Sequence, residues 1–127
     1  MTFRHSIRVR YAEVDAQGVV FNAHYLTYCD DAVGRWWTSN GLAFGDHGWD
    51  VMVKKAVVEW SGSAGFDEVL DIEVGVVRWG TTSHDVECAG TVDGRPVFTA
   101  VITYVGVAHG TKTPMPPPAE VRALLSA

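Results

Sequence analysis

One stretch of helical period stands in a chain otherwise written in strand period. Between Asn22 and Asn40 the apolar residues fall at Tyr25, Leu26, Cys29, Ala32, Val33, Trp36 and Trp37. That three-then-four spacing describes one buried helical face, with Thr27, Asp30, Asp31, Arg35 and Thr38 on the other. Asn22 is expected to cap the helix start and Gly41 to supply a left-handed cap at its end. Gly34 costs about 1 kcal/mol relative to Ala inside a helix, so it is expected to mark a close approach of another backbone.

The remaining segments alternate with period two. His5 to Tyr11 places Ile7, Val9 and Tyr11 against Arg8 and Arg10, and Val69 to Trp79 places Leu70, Ile72, Val74 and Val76 against Asp71, Glu73 and Gly75. His84, Val86 and Cys88 share an apolar face, and Val92 Asp93 Gly94 Arg95 spells a type I′ hairpin turn into the next strand. That strand, Pro96 to Val107, has no charged face and is expected to be covered on both sides, once by the helix and once by another subunit. Val51 to Trp60 is a further strand whose alternation breaks at Lys54 and Lys55. The prolines at 114 and 116 to 118 end the last strand and precede a short helix, Ala119 to Leu125. Strand, long helix, then four strands argues an α+β fold: an antiparallel sheet laid over one central helix.

At 127 residues there is room for one domain, 1–127. A net charge of −5 is the wrong sign for phosphate neutralisation, so nucleic acid is not an expected partner. The opening Met1 to Arg8 has no apolar signal core and no segment approaches a membrane span, so a soluble cytoplasmic protein is expected. In that compartment Cys29 and Cys88, both on apolar faces, are expected to be core thiols. The five histidines lack the spacing of a metal site, and no metal or cofactor is expected.

The loop before the helix, YAEVDAQGVVFNAHY from Tyr11 to Tyr25, carries the chemistry. A helix start offers unpaired N–H donors and partial positive charge, which stabilise an oxygen that turns negative during reaction. Asp15, upstream of it and shielded by Val19, Val20 and Phe21, can attack a carbonyl held there or deprotonate a water aimed at it. Asp beside Gly also commonly builds an Asx-turn, and these residues alone leave both roles open. Glu13 shares the parity of Asp15, but as a strand-end charge it is expected to face solvent. Trp49 and Trp60 are candidate pocket walls, and Lys54, Lys55, Arg78 and Lys112 are the available cations.

The string DAQGVVFNAHYLTYCDDA resembles the signature of the 4-hydroxybenzoyl-CoA thioesterase-like branch of the hotdog-fold acyl-CoA thioesterases. Gly80 Thr81 Thr82 Ser83 is similar to that family's turn between central strands, and the closing Thr113 to Pro116 with Val121 to Leu125 to its usual ending. The resemblance implies a five-stranded antiparallel sheet wrapped around the helix, and homodimers or tetramers paired through sheet edges with active sites between subunits. It implies Asp15 as nucleophile or general base, the Asn22 N–H as oxyanion donor, Gly18, Phe21, His24 and Tyr25 near substrate, and Thr82 or Ser83 lent by the partner chain; beside it, Trp49 and Trp60 read as walls for the acyl group and Lys54, Lys55, Arg78 and Lys112 as the cations available to coenzyme A phosphates. Relatives commonly carry His where this sequence has Asn22; here the imidazole is His24, which as a first-turn residue also reads as an exposed surface His. The implied activity is hydrolysis of an aryl or medium-chain acyl-CoA without a cofactor. A hotdog hydratase or dehydratase using Asp15 and His24, or a non-hydrolytic acyl-CoA or acyl-carrier binding protein, are the alternatives.

Overall fold

The computed structural model describes residues 3–127; Met1 and Thr2 of the opening segment lie outside them. Its strands are β1 (Phe3–Arg8), β2 (Trp49–Trp60), β3 (Val69–Trp79), β4 (Ser83–Val92) and β5 (Arg95–Ala108), and its helices α1 (His24–Ser39) and α2 (Ala119–Ser126). The strands form one antiparallel sheet in the order β1-β3-β4-β5-β2, which leaves β2 at an edge. No helix among the described residues is long and apolar enough to cross a membrane.

The apolar stripe of α1, from Tyr25 through Cys29 and Ala32 to Trp36, is buried with Leu70, Ile72 and Val74 of β3, Val86 and Cys88 of β4, and Phe98, Ala100 and Ile102 of β5. The period-three-four and period-two patterns thus meet in one core. The helix ends in a Schellman turn: the Gly41 amide donates to the Thr38 carbonyl and the Leu42 amide to the Trp37 carbonyl, both over 3.0 Å, with Gly41 at φ +72°. Asp93 and Gly94, at φ 49° and 76°, form the expected type I′ turn between β4 and β5. Cys29 and Cys88 are free and buried.

Several expectations give way to tertiary contacts. The first strand stops at Arg8, because Val9 turns its backbone to Glu68 and Asp67 and the Arg10 amide is caught by Glu13, folding Tyr11–Glu13 into a 3-10 turn. Asn22 does not cap α1; Ala23 holds that position and no side chain caps the end. No backbone approaches Gly34, whose face opens into a cavity instead. The outer face of β5 is not covered within the chain: Thr99 is exposed and Val101, Thr103 and Val105 are half-buried.

Three irregularities in the sheet are β-bulges, where one strand carries an extra residue. Lys54 is the extra residue against β5, which explains the broken alternation of β2. Val97 is extra against β4, so Val97 and Phe98 are both buried although adjacent. Val77 is extra in β3 against β4.

Candidate active site

Val14 and Val20 form an isolated antiparallel bridge, and between them the chain makes a tight turn that displays Asp15. The Asp15 amide donates to the Val19 carbonyl over 2.8 Å, and the Gly18 amide returns to the Asp15 carbonyl over 3.0 Å. Gly18 sits at φ +80°, where a side chain would be strained. Asp15 Oδ1 accepts the Gln17 amide over 2.8 Å, an Asx-turn. The half-buried carboxylate has no ion pair among the described residues, so its second oxygen is free of charged partners. Asp15 therefore shapes its turn through one oxygen and still presents the other.

The turn is anchored where it meets the helix. The Val20 amide donates to the Ala64 carbonyl over 2.9 Å and the Phe21 amide to the Glu13 carbonyl over 3.0 Å. The His24 amide closes on the Phe21 carbonyl over 2.9 Å and the Tyr25 amide on the Asn22 carbonyl over 3.4 Å, so backbone alone starts α1. The Asn22 and Ala23 amides donate to no acceptor among the described residues and remain at the positive end of the helix.

Glu13, expected at the solvent, is instead the pin of this loop. Its Oε1 accepts the Arg10 amide at 2.8 Å and the Tyr28 hydroxyl at 3.0 Å, and its Oε2 accepts the Arg10 guanidinium at 2.8 Å. Burial pushes the Glu13 carboxyl up, but the bonds from Arg10 and Tyr28 together hold it below the usual range. Tyr28 is pushed up by burial and by that same bond. The i, i+3 spacing of Arg10 and Glu13 is visible in the sequence; the fifteen-residue reach to Tyr28 is not.

Phe21 and Trp60, each about half exposed, His24, half-buried with its ring edge-on to Phe21, and Tyr25 gather at the same end of the sheet as Asp15. Tyr25 is a core residue. Its hydroxyl accepts the Ala64 amide over 3.1 Å and its ring packs on Trp60 and Phe98. Thr82, Ser83 and Arg78 gather at the opposite end. Trp60 pairs with Phe98 and Ser83 with Val105, seven residues along β5, or about 23 Å away. Within one chain those three do not meet Asp15. Arg78 grips Asp85 with two bonds, 2.8 and 3.2 Å, and also donates to Ser83, holding the Asp85 carboxyl low.

Trp49 is not a cavity wall. It is buried, stacks on Trp37 at 5.7 Å and donates its indole N–H to the Met115 carbonyl. The cavity that does open, about 590 Å³, lies between α1 and the start of β2, with Trp37, Phe44 and Tyr104 among its walls. Cys29 offers no nucleophile, since the neighbouring Cys88 thiol and burial both push its own thiol up. Lys54, Lys55 and Lys112 are exposed.

Residues 9–125 match the family model described as the thioesterase-like superfamily. The chain belongs to that superfamily. A curated protein of Aquifex aeolicus (strain VF5), named as a candidate esterase, is 30% identical over 77 residues, which span 58% of this chain and 60% of that protein. The chain is also similar to a 1,4-dihydroxy-2-naphthoyl-CoA thioesterase from Synechocystis, with a TM-score of 0.88, 17% identity, and 98% and 96% of the two chains covered. An aspartate-to-asparagine mutant of 4-hydroxybenzoyl-CoA thioesterase, solved with 4-hydroxybenzoyl-CoA, superposes with a TM-score of 0.89 at 18% identity, covering 98% and 99%. At such identities the structural likeness is one of fold.

Proposed function

We propose that the chain is an acyl-CoA thioesterase, working as one domain over residues 1–127 in the cytoplasm and releasing a free acid and CoA. The observation that carries this reading is the pairing of a carboxylate pinned through one oxygen with two undonated amides at the helix start a few residues on. Family membership supports the same chemistry. The two structural neighbours described above, both thioesterases of hydroxylated aryl-CoAs, favour an aryl acyl group over a medium-chain one.

With the thioester oxygen on the Asn22 N–H, Asp15 takes a proton from water as the water oxygen adds to the carbonyl carbon. The oxyanion that forms is held by the amide and the positive helix end. Its collapse breaks the C–S bond, and the departing thiolate takes up the proton held by Asp15, which returns the carboxylate to its starting state. If Asp15 instead attacks directly, the tetrahedral adduct expels the thiolate and leaves a mixed anhydride between Asp15 and the acyl group, which water then hydrolyses to the acid and free Asp15. Val20 is buried beneath the loop, and Phe21, about half exposed, borders it together with His24.

The hotdog arrangement, with the sheet closed around α1, and a homodimer joined through β2 belong to this reading. Edge strand β2 exposes Met52, Val53, Val57 and Trp60, apolar side chains spread over both of its faces, and such an edge calls for a second copy. Such a dimer, alone or paired into a tetramer, would bring one subunit's Thr82 and Ser83 end toward the partner's Asp15 end. Lys54, Lys55 and Lys112 are then the free cations for CoA phosphates, Arg78 being engaged by Asp85.

Purified protein given a panel of acyl-CoAs with a thiol-reactive dye should release CoA, and Asp15→Asn should lose about 100-fold or more in kcat. Equal rates for both proteins would reject the assignment. Single turnover in ¹⁸O water distinguishes the two roles: label in Asp15 marks the anhydride, label confined to the acid marks direct water attack. Hydration of enoyl-CoA without CoA release, or tight binding without turnover, would replace hydrolysis with those activities.

A further inference from the structure

The Asp15 turn rests on a second loop, whose side chains the proposed chemistry does not use. That loop, residues 61–68, joins β2 to β3. Val19 forms an isolated antiparallel bridge with Gly65, and the Val20 amide donates to the Ala64 carbonyl over 2.9 Å. Val19 is also the residue whose carbonyl takes the Asp15 amide, over 2.8 Å. The approach is close: a Cβ on Gly65 would stand 3.5 Å from the Gly18 carbonyl oxygen and 3.1 Å from Glu68 Oε1.

The second loop has its own fastening. Glu68 Oε1 accepts the Gly65 amide over 2.6 Å, and the Glu68 amide returns to the Gly65 carbonyl over 3.2 Å. Arg95, at the start of β5, donates to the Ser63 carbonyl over 2.8 Å and stands 3.3 Å from Glu68 Oε2. A half-buried carboxylate with a backbone amide on one oxygen and a guanidinium on the other is a charge-assisted clamp, stronger than neutral bonds of the same kind.

We infer that Glu68 is a positioning residue: by holding the Gly65 amide it seats the loop against Val19 and Val20, and so sets where the Asp15 carboxylate stands relative to the Asn22 amide. The inference rests on the thioesterase reading and adds to it a residue that acts on the reaction only through Asp15. The path is continuous, from Glu68 to Gly65 by hydrogen bond, from Gly65 to Val19 by the bridge, and from Val19 to Asp15 by hydrogen bond. Glu13 steadies the arm of the turn that precedes Asp15, and Glu68 the arm that follows it. With one arm released, the carboxylate swings on the other. A misplacement of about 1 Å can cost about 100-fold in rate, while the substrate contacts made elsewhere are untouched. The loss therefore falls on kcat and spares KM.

The test is a double-mutant cycle with Asp15. With 4-hydroxybenzoyl-CoA or octanoyl-CoA, whichever is cleaved faster, Glu68→Ala should lower kcat about 10-fold or more and leave KM within about two-fold. Glu68→Gln, whose amide oxygen still accepts the Gly65 N–H, should recover most of that loss. In the Asp15→Asn protein, Glu68→Ala should cost less than about two-fold, because the group it places is already gone. Amide hydrogen exchange followed by NMR reads the same seat without turnover. Glu68→Ala should speed exchange at Asp15 and Val20 by about 10-fold or more and leave Val86 and Cys88 in β4 unchanged. A wild-type kcat in Glu68→Ala, an equal loss in the Asp15→Asn protein, or exchange that rises uniformly through the sheet overturns the role of Glu68 and leaves the thioesterase reading standing. Exchange that rises only at Asp15 and Val20, with neither ester cleaved even by the wild type, upholds Glu68 as the fastening of the turn and removes the thioesterase reading.

Discussion

The Tyr28 hydroxyl donates to Glu13 Oε1 over 3.0 Å, tying the middle of the apolar helix face to the turn that precedes the Asp15 loop. Glu13 in turn holds Arg10 by amide and guanidinium and accepts the Phe21 amide on its carbonyl. Asp15 and Asn22 are thus flanked by contacts to one residue.

Tyr28→Phe removes the bond while keeping the ring. A hydrogen bond to a charged group contributes about 1.5–3 kcal/mol, so thermal or urea unfolding should register a loss of that order. Activity should fall further than stability accounts for, because the loop loses its tether. An unchanged unfolding midpoint would mean the bond is replaced by solvent.

Gly34→Ala and Gly106→Ala should move stability in opposite directions. A Cβ at Gly34 meets nothing within 4 Å, so the helix gains its propensity term, up to about 1 kcal/mol. At Gly106 a Cβ would overlap the Trp49 indole and the Met115 backbone oxygen, and overpacking of this kind costs about 1–3 kcal/mol. Denaturant titration of the two variants measures both signs.

His84, 2% exposed between Trp79 and Tyr104, has its pKa lowered from 6.5 to about 4 by burial, against the opposing pull of Asp85. The unfolded chain takes up this proton below pH 6.5 and the folded one only near 4. Stability therefore falls as pH drops through that window, by roughly 3 kcal/mol in total, and is unaffected by this group above it. His84→Phe, which keeps the aromatic stack, should flatten that part of the acid limb in a series of urea titrations.

Lysine at both Val53 and Val57 places charge on both faces of the exposed edge strand β2. Sedimentation should show a shift to monomer, and kcat/KM should drop with it if the site needs both subunits. A fully active monomer would confine the site to one chain.

Much of the fold was legible in periodicity. The helix stripe, the Gly41 cap, the Asp93–Gly94 turn and the order of the strands follow from local sterics and from which residues avoid water, and those are properties of short segments. The Asp15 loop was legible too, because Asp, Gly and an apolar run before a helix form a local pattern. The Glu13 to Tyr28 bond, the break of the first strand at Arg8 and the burial of Val97 beside Phe98 were not. Each depends on a partner distant in sequence or on the register between two strands.

The chain order by itself determined the segments, their apolar faces and the carboxylate that stands before α1. Only the tertiary structure decided which end of the sheet each side chain occupies: Asp15 with Trp60, and Thr82 and Ser83 with the start of β2. It alone put Asp50 on the wall of the cavity beside α1 with its Oδ1 buried and without a donor among the described residues. The reason is that strand pairing and packing act between residues that sequence spacing does not relate, and there desolvation rather than local preference sets the energy.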